Sequence, residues 1–429
     1  MPKNIHVMSI NRSGGSLLVR LLDNHPEILS YPKEIGFQID ESISPFVDKI
    51  TGTPIQIREF EYAKKNGPLK YFNLSKEKII PTHKWGKEKS DDVGVRKNYV
   101  EKVFYGNFKT DFDYNSYISM IENNFINCKN LSDLYNLKHL SYFKAWDKGK
   151  YINNFNYVVT HDSGGLFLQD IKKFFKEFKN SILIIPIRDV KAYVAAEKIR
   201  IARRIFGSKR FSGFKPPNFI VKNFDYYDLD NLVDTWLVAM TRIKLIHEKF
   251  DSEKIYTYRL ENLTKNTANI MQEISKFCGF EFHKNLLKPT IVGENWKGNS
   301  HLGPNQGINP NPSHYVDKIL KKKELDYIEK KCSKLQDIID ENIEGKLNLK
   351  NYDSTLFFDY SFQSKYFDNR ELIAMYYAHA FKGYRKPPLK SSTFSMFLAF
   401  IFSKLQFILH LPRLIKLKIF PGAGKQNYT

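Results

Sequence analysis

Cysteine is scarce in this chain of 429 residues. Its three cysteines, Cys128, Cys278 and Cys332, lie far apart, are odd in number and form no C-x-x-C pair. A disulfide framework and a zinc site are therefore not expected, and this cysteine content is typical of a reducing compartment. The first residues, MPKNIHVM, also lack the apolar core and cleavage site of a signal peptide. We therefore predict a cytoplasmic protein.

Acidic residues are outnumbered by basic ones. The 46 Asp and Glu residues face 67 Lys and Arg residues, which gives a formal net charge of +21. Such a surplus favours an anionic partner, which could be a nucleotide, a polyanionic glycan, nucleic acid or an acidic membrane surface, although a lysine bias that aids solubility would give the same sum. Because no recognised nucleic-acid-binding motif occurs, we expect no specific nucleic-acid partner.

Internal repeats are absent as well, which excludes solenoid, heptad and collagen-like architectures. What is present is the composition of a folded globular protein, with 42% hydrophobic and 26% charged residues. Short apolar strands alternate with helical patterns and predict a mostly parallel sheet covered by helices on both faces. Ligands of such sheets bind at the carboxyl ends of the strands. The predicted strands are residues 5–10, 157–160, 181–187 and 254–258.

Two segments fall outside this alternation. Residues 40–150 predict a largely helical insertion in a domain of residues 1–350, and residues 351–429 predict a helical, basic C-terminal extension. Within the extension, residues 394–411 are almost wholly apolar and are followed by basic residues that alternate with Leu and Ile. This pattern is typical of an interfacial helix on an anionic membrane surface, and we expect that surface to be the inner face of the membrane. The alternatives are a helix packed on the domain or on a second subunit, and a helix that spans the membrane.

The segment most informative about chemistry is residues 9–18, SINRSGGSLL, which follows the first predicted strand and opens a helix. A glycine pair lets backbone N–H groups face an oxyanion, and the start of a helix adds a favourable dipole. Arg12 supplies a fixed positive charge, while two serines supply hydroxyl donors. The pattern G-x-x-x-x-G-K-[ST] is missing, which disfavours a standard kinase or ATPase. The candidate ligand-binding residues are Arg12, Ser13, Gly14, Gly15, Ser16 and Leu17.

This segment resembles the 5′-phosphosulfate loop of sulfotransferases that use 3′-phosphoadenosine 5′-phosphosulfate (PAPS), in which [RK]-S-G-T-[TS] follows the first strand. Residues 21–28, LLDNHPEI, are similar to the leucine-rich helix and His-Pro of many members. Gly15 replaces the usual Thr. The resemblance, over about residues 5–37 and 155–330, implies a P-loop-like α/β fold. It also implies sulfuryl transfer to a hydroxyl, release of 3′,5′-adenosine bisphosphate, and no metal.

Two further motifs resemble the parts of the family that bind the 3′-phosphate. Residues 184–190, IIPIRDV, are similar to its strand ending in R-[DN]-P, which implies that Arg188 pairs with the 3′-phosphate through bidentate hydrogen bonds. The family's serine eight residues later is Ala196 here, so Lys191 or Lys198 are candidates to replace that contact.

The second of these motifs, residues 295–300, NWKGNS, resembles the late basic glycine loop, which implies contacts from Lys297 and Gly298. Residues 260–263, LENL, stand in the place of the family's Y-E-[DN]-L, with Leu260 replacing the tyrosine.

Three residues are candidates for the general base. Residues 31–37, YPKEIGF, resemble the E-[IP]-x-F signature of the glycan-modifying branch, in which the glutamate is the base, so Glu34 ranks first. His161 follows a strand, as the Thr-His of the cytosolic branch does, and ranks second. His83, in another Thr-His, ranks third. Glu34 points to a carbohydrate or glycolipid acceptor.

Two other functions remain open from the sequence. One is a P-loop-like kinase, and the other is a non-catalytic protein that binds a polyanion or a membrane on a sulfotransferase fold. The departures at Gly15, Ala196 and Leu260 favour the second of these.

Overall fold

The structure is a computed structural model, and it does not describe every residue of the chain. The predicted C-terminal extension, His83, Lys297 and Gly298 lie outside the described residues. The described residues are 2–34, 60–72, 74, 113–145, 155–163, 166, 168–206, 229–291, 293–296 and 307–341.

A five-stranded sheet forms the centre of the fold. All of its strands are parallel, and their order is β2-β3-β1-β4-β5. The predicted α/β fold with a mostly parallel sheet is thus confirmed. Inner strand β4, SILIIPI, is buried at every position because helices cover both faces. The strands are β1 (Lys3–Met8), β2 (Ile28–Glu34), β3 (Tyr157–Asp162), β4 (Ser181–Ile187) and β5 (Ile255–Arg259).

Strand β2 is the one strand of this sheet that the sequence analysis missed. Its sequence, ILSYPKE, contains a proline and several polar residues and so reads as a loop. The strand lies at an edge of the sheet, where a missing N–H and polar side chains are tolerated.

Helices connect and cover the strands. The helix after β1 packs against β1, β2 and β3, and the first long helix after β4 packs against the last one. Residues 290–291 and 294–295 form a small antiparallel hairpin. The helices of the described residues are α1 (Gly15–Leu22), α2 (Phe60–Asn66), α3 (Pro68–Tyr71), α4 (Tyr114–Phe125), α5 (Leu131–Lys144), α6 (Leu168–Glu177), α7 (Val190–Phe206), α8 (Leu229–Lys249), α9 (Leu260–Lys265), α10 (Thr267–Cys278), α11 (Val316–Ile319) and α12 (Lys322–Glu341).

The described part of the insertion is helical, as the sequence predicts. Helices α2 to α5 share an aromatic interior, and Tyr71, Tyr117 and Tyr142 are fully buried in it. This interior continues onto the sheet because the Tyr142 ring lies 4.7 Å from that of Tyr31 on β2. The described part of the insertion therefore packs against β2, an edge strand of the sheet.

The two lysines suggested as phosphate contacts pair with helix α12 instead. Lys198 is fully buried, and its Nζ lies 3.0 Å from Glu324. Lys191 pairs with Glu329. Both lysines lie on the face of α7 that packs against α12, so their charges are neutralised there. Lys198 is thus the buried partner of Glu324, and the suggestion that Lys191 or Lys198 replaces the family's serine stays a prediction.

The His-Pro pair after α1 joins that helix to the segment after α10. His25 Nδ1 accepts a hydrogen bond from the Glu27 amide at 3.2 Å, so its Nε2–H donates to the Glu281 carbonyl at 2.9 Å. Asn285 adds a bond to the Asn24 carbonyl at 2.8 Å. His25 is thus a structural residue that fixes the end of α1.

Candidate anion-binding site

The loop between β1 and α1 has an unusual backbone. Arg12 has a φ of 67° and Gly14 a φ of 94°, so both residues are in the left-handed region. For a residue with a Cβ this conformation costs about 1 kcal/mol. Left-handed residues within a turn gather successive N–H groups into a concave nest that binds anions. Such strain is retained where the surrounding structure enforces it, which often happens at a binding site.

Ser13 lies between these two residues and is completely buried. Its Oγ has no hydrogen-bond partner among the described residues. An unsatisfied buried hydroxyl destabilises a protein by about 1–3 kcal/mol. The first amides of α1, which begins at Gly15, have no acceptor within the helix. A tetrahedral oxyanion would accept hydrogen bonds from this set of donors, so the residues fit a sulfate or phosphate group.

A side chain at either glycine of the loop would meet a neighbouring side chain. A Cβ on Gly14 would lie 2.5 Å from Leu260 Cδ1, and a Cβ on Gly15 would lie 2.3 Å from His161 Nε2. The imidazole of His161 occupies the volume that a Thr side chain at position 15 would need, and Leu260 packs directly on Gly14.

The remaining predicted loop residues divide between the loop and the core. Ser16 lies in the first turn of α1 and is half-buried. Leu17 is buried in the core, and its amide donates to the Gly14 carbonyl at 2.9 Å. The Leu17 amide is therefore already hydrogen-bonded within the turn. Gly15 and Ser16 stand before it, at the start of α1.

The Arg12 side chain lies beside an acidic group that the sequence analysis did not single out. Arg12 Nε is 3.7 Å from Glu197 Oε1, and the side chains are 22% and 3% exposed. Glu197 is nine positions after Arg188 on α7, and no motif marks it. The pair orients Arg12 while leaving part of its guanidinium accessible.

Glu34 and His161 are neighbours at the carboxyl edge of the sheet. They are in register on β2 and β3, after an irregularity between Ser30 and Glu34. Adjacent strands are about 4.8 Å apart, so these two candidate bases end side by side. The Glu34 side chain lies outside what the structure describes. The structure thus brings together the backbone of Glu34, His161 and the loop.

Burial and, to a smaller extent, the neighbouring charge of Arg20 together lower the pKa of His161 to about 3. Its imidazole is therefore neutral at pH 7. Because Nε2 lies against Gly15, this neutral ring forms part of the wall of the loop.

Arg188 also lies beside the loop, but protein groups occupy much of its guanidinium. Nη1 donates to the Arg12 carbonyl at 3.0 Å. Nη2 donates to the Pro312 carbonyl and to the Tyr315 hydroxyl, each at 2.8 Å. Nε is 3.9 Å from Glu261, whose pKa is raised by burial and lowered in part by Arg188. Arg188 thus contacts the loop, and its bonds to Tyr315 and Pro312 had no sequence signal.

The described residues contain no group of three or more His, Cys, Asp or Glu side chains that would hold a metal ion. Within the same residues, no helix is both long and apolar enough to span a bilayer.

No family model matches the sequence, and no curated protein matches it. Several solved structures are similar to this chain. A sulfotransferase domain from the curacin biosynthetic pathway is 13% identical, with a TM-score of 0.38 over 78% of this chain and 98% of that one. A sulfotransferase domain from the Synechococcus PCC 7002 olefin synthase is 12% identical, with a TM-score of 0.36 over 77% and 94%.

A sulfotransferase from Mycobacterium tuberculosis is 13% identical, with a TM-score of 0.33 over 67% of this chain and 70% of that one. All three of these structures are sulfotransferases. At identities of 12–13% and TM-scores below 0.5, the function has to be argued from the residues of the site.

Proposed function

We propose that the chain is a sulfotransferase that moves a sulfuryl group from PAPS to a hydroxyl of an acceptor, a carbohydrate or a glycolipid. The observation that carries this proposal is the loop before α1. Its left-handed Arg12 and Gly14 enclose the buried hydroxyl of Ser13, which has no hydrogen-bond partner among the described residues. These donors suit one tetrahedral oxyanion.

In this proposal the loop holds the 5′-phosphosulfate of PAPS, which supplies the group that is transferred. The amides of Gly15 and Ser16 and the hydroxyl of Ser13 bind its oxygens. The Arg12 guanidinium stabilises the negative charge that develops on the departing bisphosphate, as donors in an oxyanion hole do. Lys297 and Gly298 stay a prediction for the 3′-phosphate.

For the general base, the surroundings of His161 support Glu34. Burial and the neighbouring charge of Arg20 disfavour the protonated form of this imidazole, which counts against its taking a proton from a hydroxyl. The Nε2 atom of His161 also lies against Gly15. Glu34, at the end of the adjacent strand, therefore remains the first candidate to deprotonate the acceptor, and His161 shapes the loop.

Calorimetric titration with 3′,5′-adenosine bisphosphate, ATP and ATP with Mg²⁺ tests the proposal. A sulfotransferase binds the bisphosphate in preference to both forms of ATP. A kinase would prefer ATP with Mg²⁺, and a non-catalytic polyanion-binding protein would show no preference. Either of these results would overturn the proposal. An assay with PAPS over glycan, lipid and phenol acceptors then identifies the acceptor class.

A matched pair of variants connects this binding to the loop. Ser13→Ala should weaken the bisphosphate about tenfold, yet it should not lower the free energy of unfolding, because it removes a buried hydroxyl that is unsatisfied in the ligand-free protein. Ser275→Ala, in contrast, removes a satisfied bond from Oγ to the Met271 carbonyl, 2.7 Å long and far along the chain from the loop. It should lower stability and leave affinity unchanged.

A further inference from the structure

Arg188 connects three separate parts of the chain. Arg188 directly follows the last residue of β4. Its side chain donates hydrogen bonds to Arg12 in the loop after β1 and to Pro312 and Tyr315 in the segment before α11. Its own carbonyl accepts a bond from Trp236 Nε1 of α8 at 2.9 Å, so its backbone is fixed too. Arg188 is 6% exposed and Tyr315 8% exposed, so these bonds are shielded from water.

We propose that Arg188 and Tyr315 are positioning residues for the anion-binding loop. The bond from Nη1 holds the carbonyl of Arg12, the residue with the strained φ of 67°. The two bonds from Nη2 fasten residues 312–315 to the same guanidinium. Because the guanidinium is planar and its donors are fixed relative to one another, movement of Tyr315 is transmitted to the Arg12 peptide.

This role differs from that of a direct ligand to the 3′-phosphate. A direct ligand would discriminate between nucleotides with and without that group. A residue that shapes the loop affects every ligand whose 5′-phosphate binds there, to the same degree. The ligand part of this inference rests on the proposed function, whereas the part on loop order concerns the protein without ligand.

Hydrogen–deuterium exchange on the full, ligand-free chain tests the loop order. Tyr315→Phe removes one acceptor of Arg188, and we expect amides in residues 9–16 to exchange about tenfold faster, as for loss of a hydrogen bond to a charged group. Peptides from β4 serve as the internal reference, since general destabilisation would accelerate their exchange as well. The matched control is Tyr256→Phe, which removes a 2.7 Å bond from a tyrosine hydroxyl to Glu273 away from the loop.

Affinities for 3′,5′-adenosine bisphosphate and for adenosine 5′-monophosphate complete the test. Tyr315→Phe and Arg188→Lys should each lower the affinity for both nucleotides by the same factor, about tenfold. Lysine keeps the positive charge of Arg188 but lacks the fixed, forked donors of the guanidinium. Loss for the bisphosphate alone, or unchanged exchange in residues 9–16 of Tyr315→Phe, would overturn the inference. If neither nucleotide binds the unaltered protein, the proposed function fails, and the exchange measurement still decides whether Arg188 and Tyr315 order the loop.

Discussion

Arg12 contributes a positive charge and has a strained backbone conformation, and two substitutions separate these effects. Arg12→Ala and Arg12→Gly both remove the charge, so both should lower turnover about 10²–10³-fold in an assay of PAPS-dependent transfer. Only glycine adopts a φ of 67° without steric cost, so Arg12→Gly should exceed Arg12→Ala in free energy of unfolding by about 1 kcal/mol. Urea denaturation measures that difference. Unchanged turnover in folded Arg12→Ala would refute the assignment of Arg12.

Single substitutions also test whether Glu34 or His161 is the general base. Glu34→Gln should lose most of kcat at saturating PAPS while it still binds the bisphosphate, because the acceptor proton then has no carboxylate to receive it. Since burial keeps His161 neutral, kcat of the unaltered enzyme should show no inflection from this residue between about pH 5 and 8. Loss of kcat in His161→Ala with retention in Glu34→Gln would reverse the ranking.

At the level of elements, the start of α1 and the end of β3 approach each other through Gly15 and His161. Gly15→Ala should lower the free energy of unfolding by about 1–3 kcal/mol, since the new Cβ would lie 2.3 Å from His161 Nε2. In a His161→Ala background the same change should cost much less, so the double-mutant cycle should show a coupling above about 1 kcal/mol.

A neighbouring glycine is the control for this cycle. Gly14→Ala meets Leu260 and has an unfavourable φ of 94°, neither of which depends on His161. Its cost should therefore be the same with and without the imidazole. Additivity in the Gly15 cycle would show that the two elements do not meet as the structure places them.

For the molecule as a whole, buried histidines make stability depend on pH. Burial and the neighbouring His161 lower the pKa of His6 to about 3, and burial and Arg20 lower that of His161 to about 3. The unfolded chain binds protons near pH 6.5, whereas the folded chain does so only near pH 3. The free energy of unfolding should thus fall as pH decreases from about 6.5 to 3, by up to about 1.4 kcal/mol per pH unit for each residue.

Urea denaturation at a series of pH values from 7 to 5 measures this slope. His6 Nδ1 lies 2.7 Å from Thr160 Oγ1, so His6→Gln should retain a polar partner for Thr160. The substitution removes one group whose pKa differs between the folded and the unfolded chain. The variant should show a shallower slope than the unaltered chain. Equal slopes would mean that His6 does not titrate differently in the two states.

The C-terminal extension gives a second prediction for the whole molecule. Its apolar residues 394–411 and the basic residues after them lead us to expect that the full chain sediments with anionic liposomes and that salt weakens this binding. Ending the chain near Lys390 should abolish sedimentation and leave bisphosphate affinity intact. If the shortened chain unfolds or loses the nucleotide, the extension belongs to the core.

Much of the fold follows from local sequence. The apolar runs of β1, β3, β4 and β5 are short, are followed by helical periodicity, and predicted the strands to within a few residues. Strand β2 was missed because its edge position, which tolerates its proline, is a property of the assembled sheet. The loop of residues 9–16 could be predicted because its glycines, serines and arginine are contiguous in sequence.

The sequence by itself therefore determined the α/β class and the position of the loop of residues 9–16 at the carboxyl edge of the sheet. Tertiary structure decided what surrounds the loop. The contact of His161 with Gly15 and the bonds of Arg188 to Arg12, Pro312 and Tyr315 join residues more than a hundred positions apart. Such contacts depend on which elements become neighbours, and a local pattern of residue types carries no record of that.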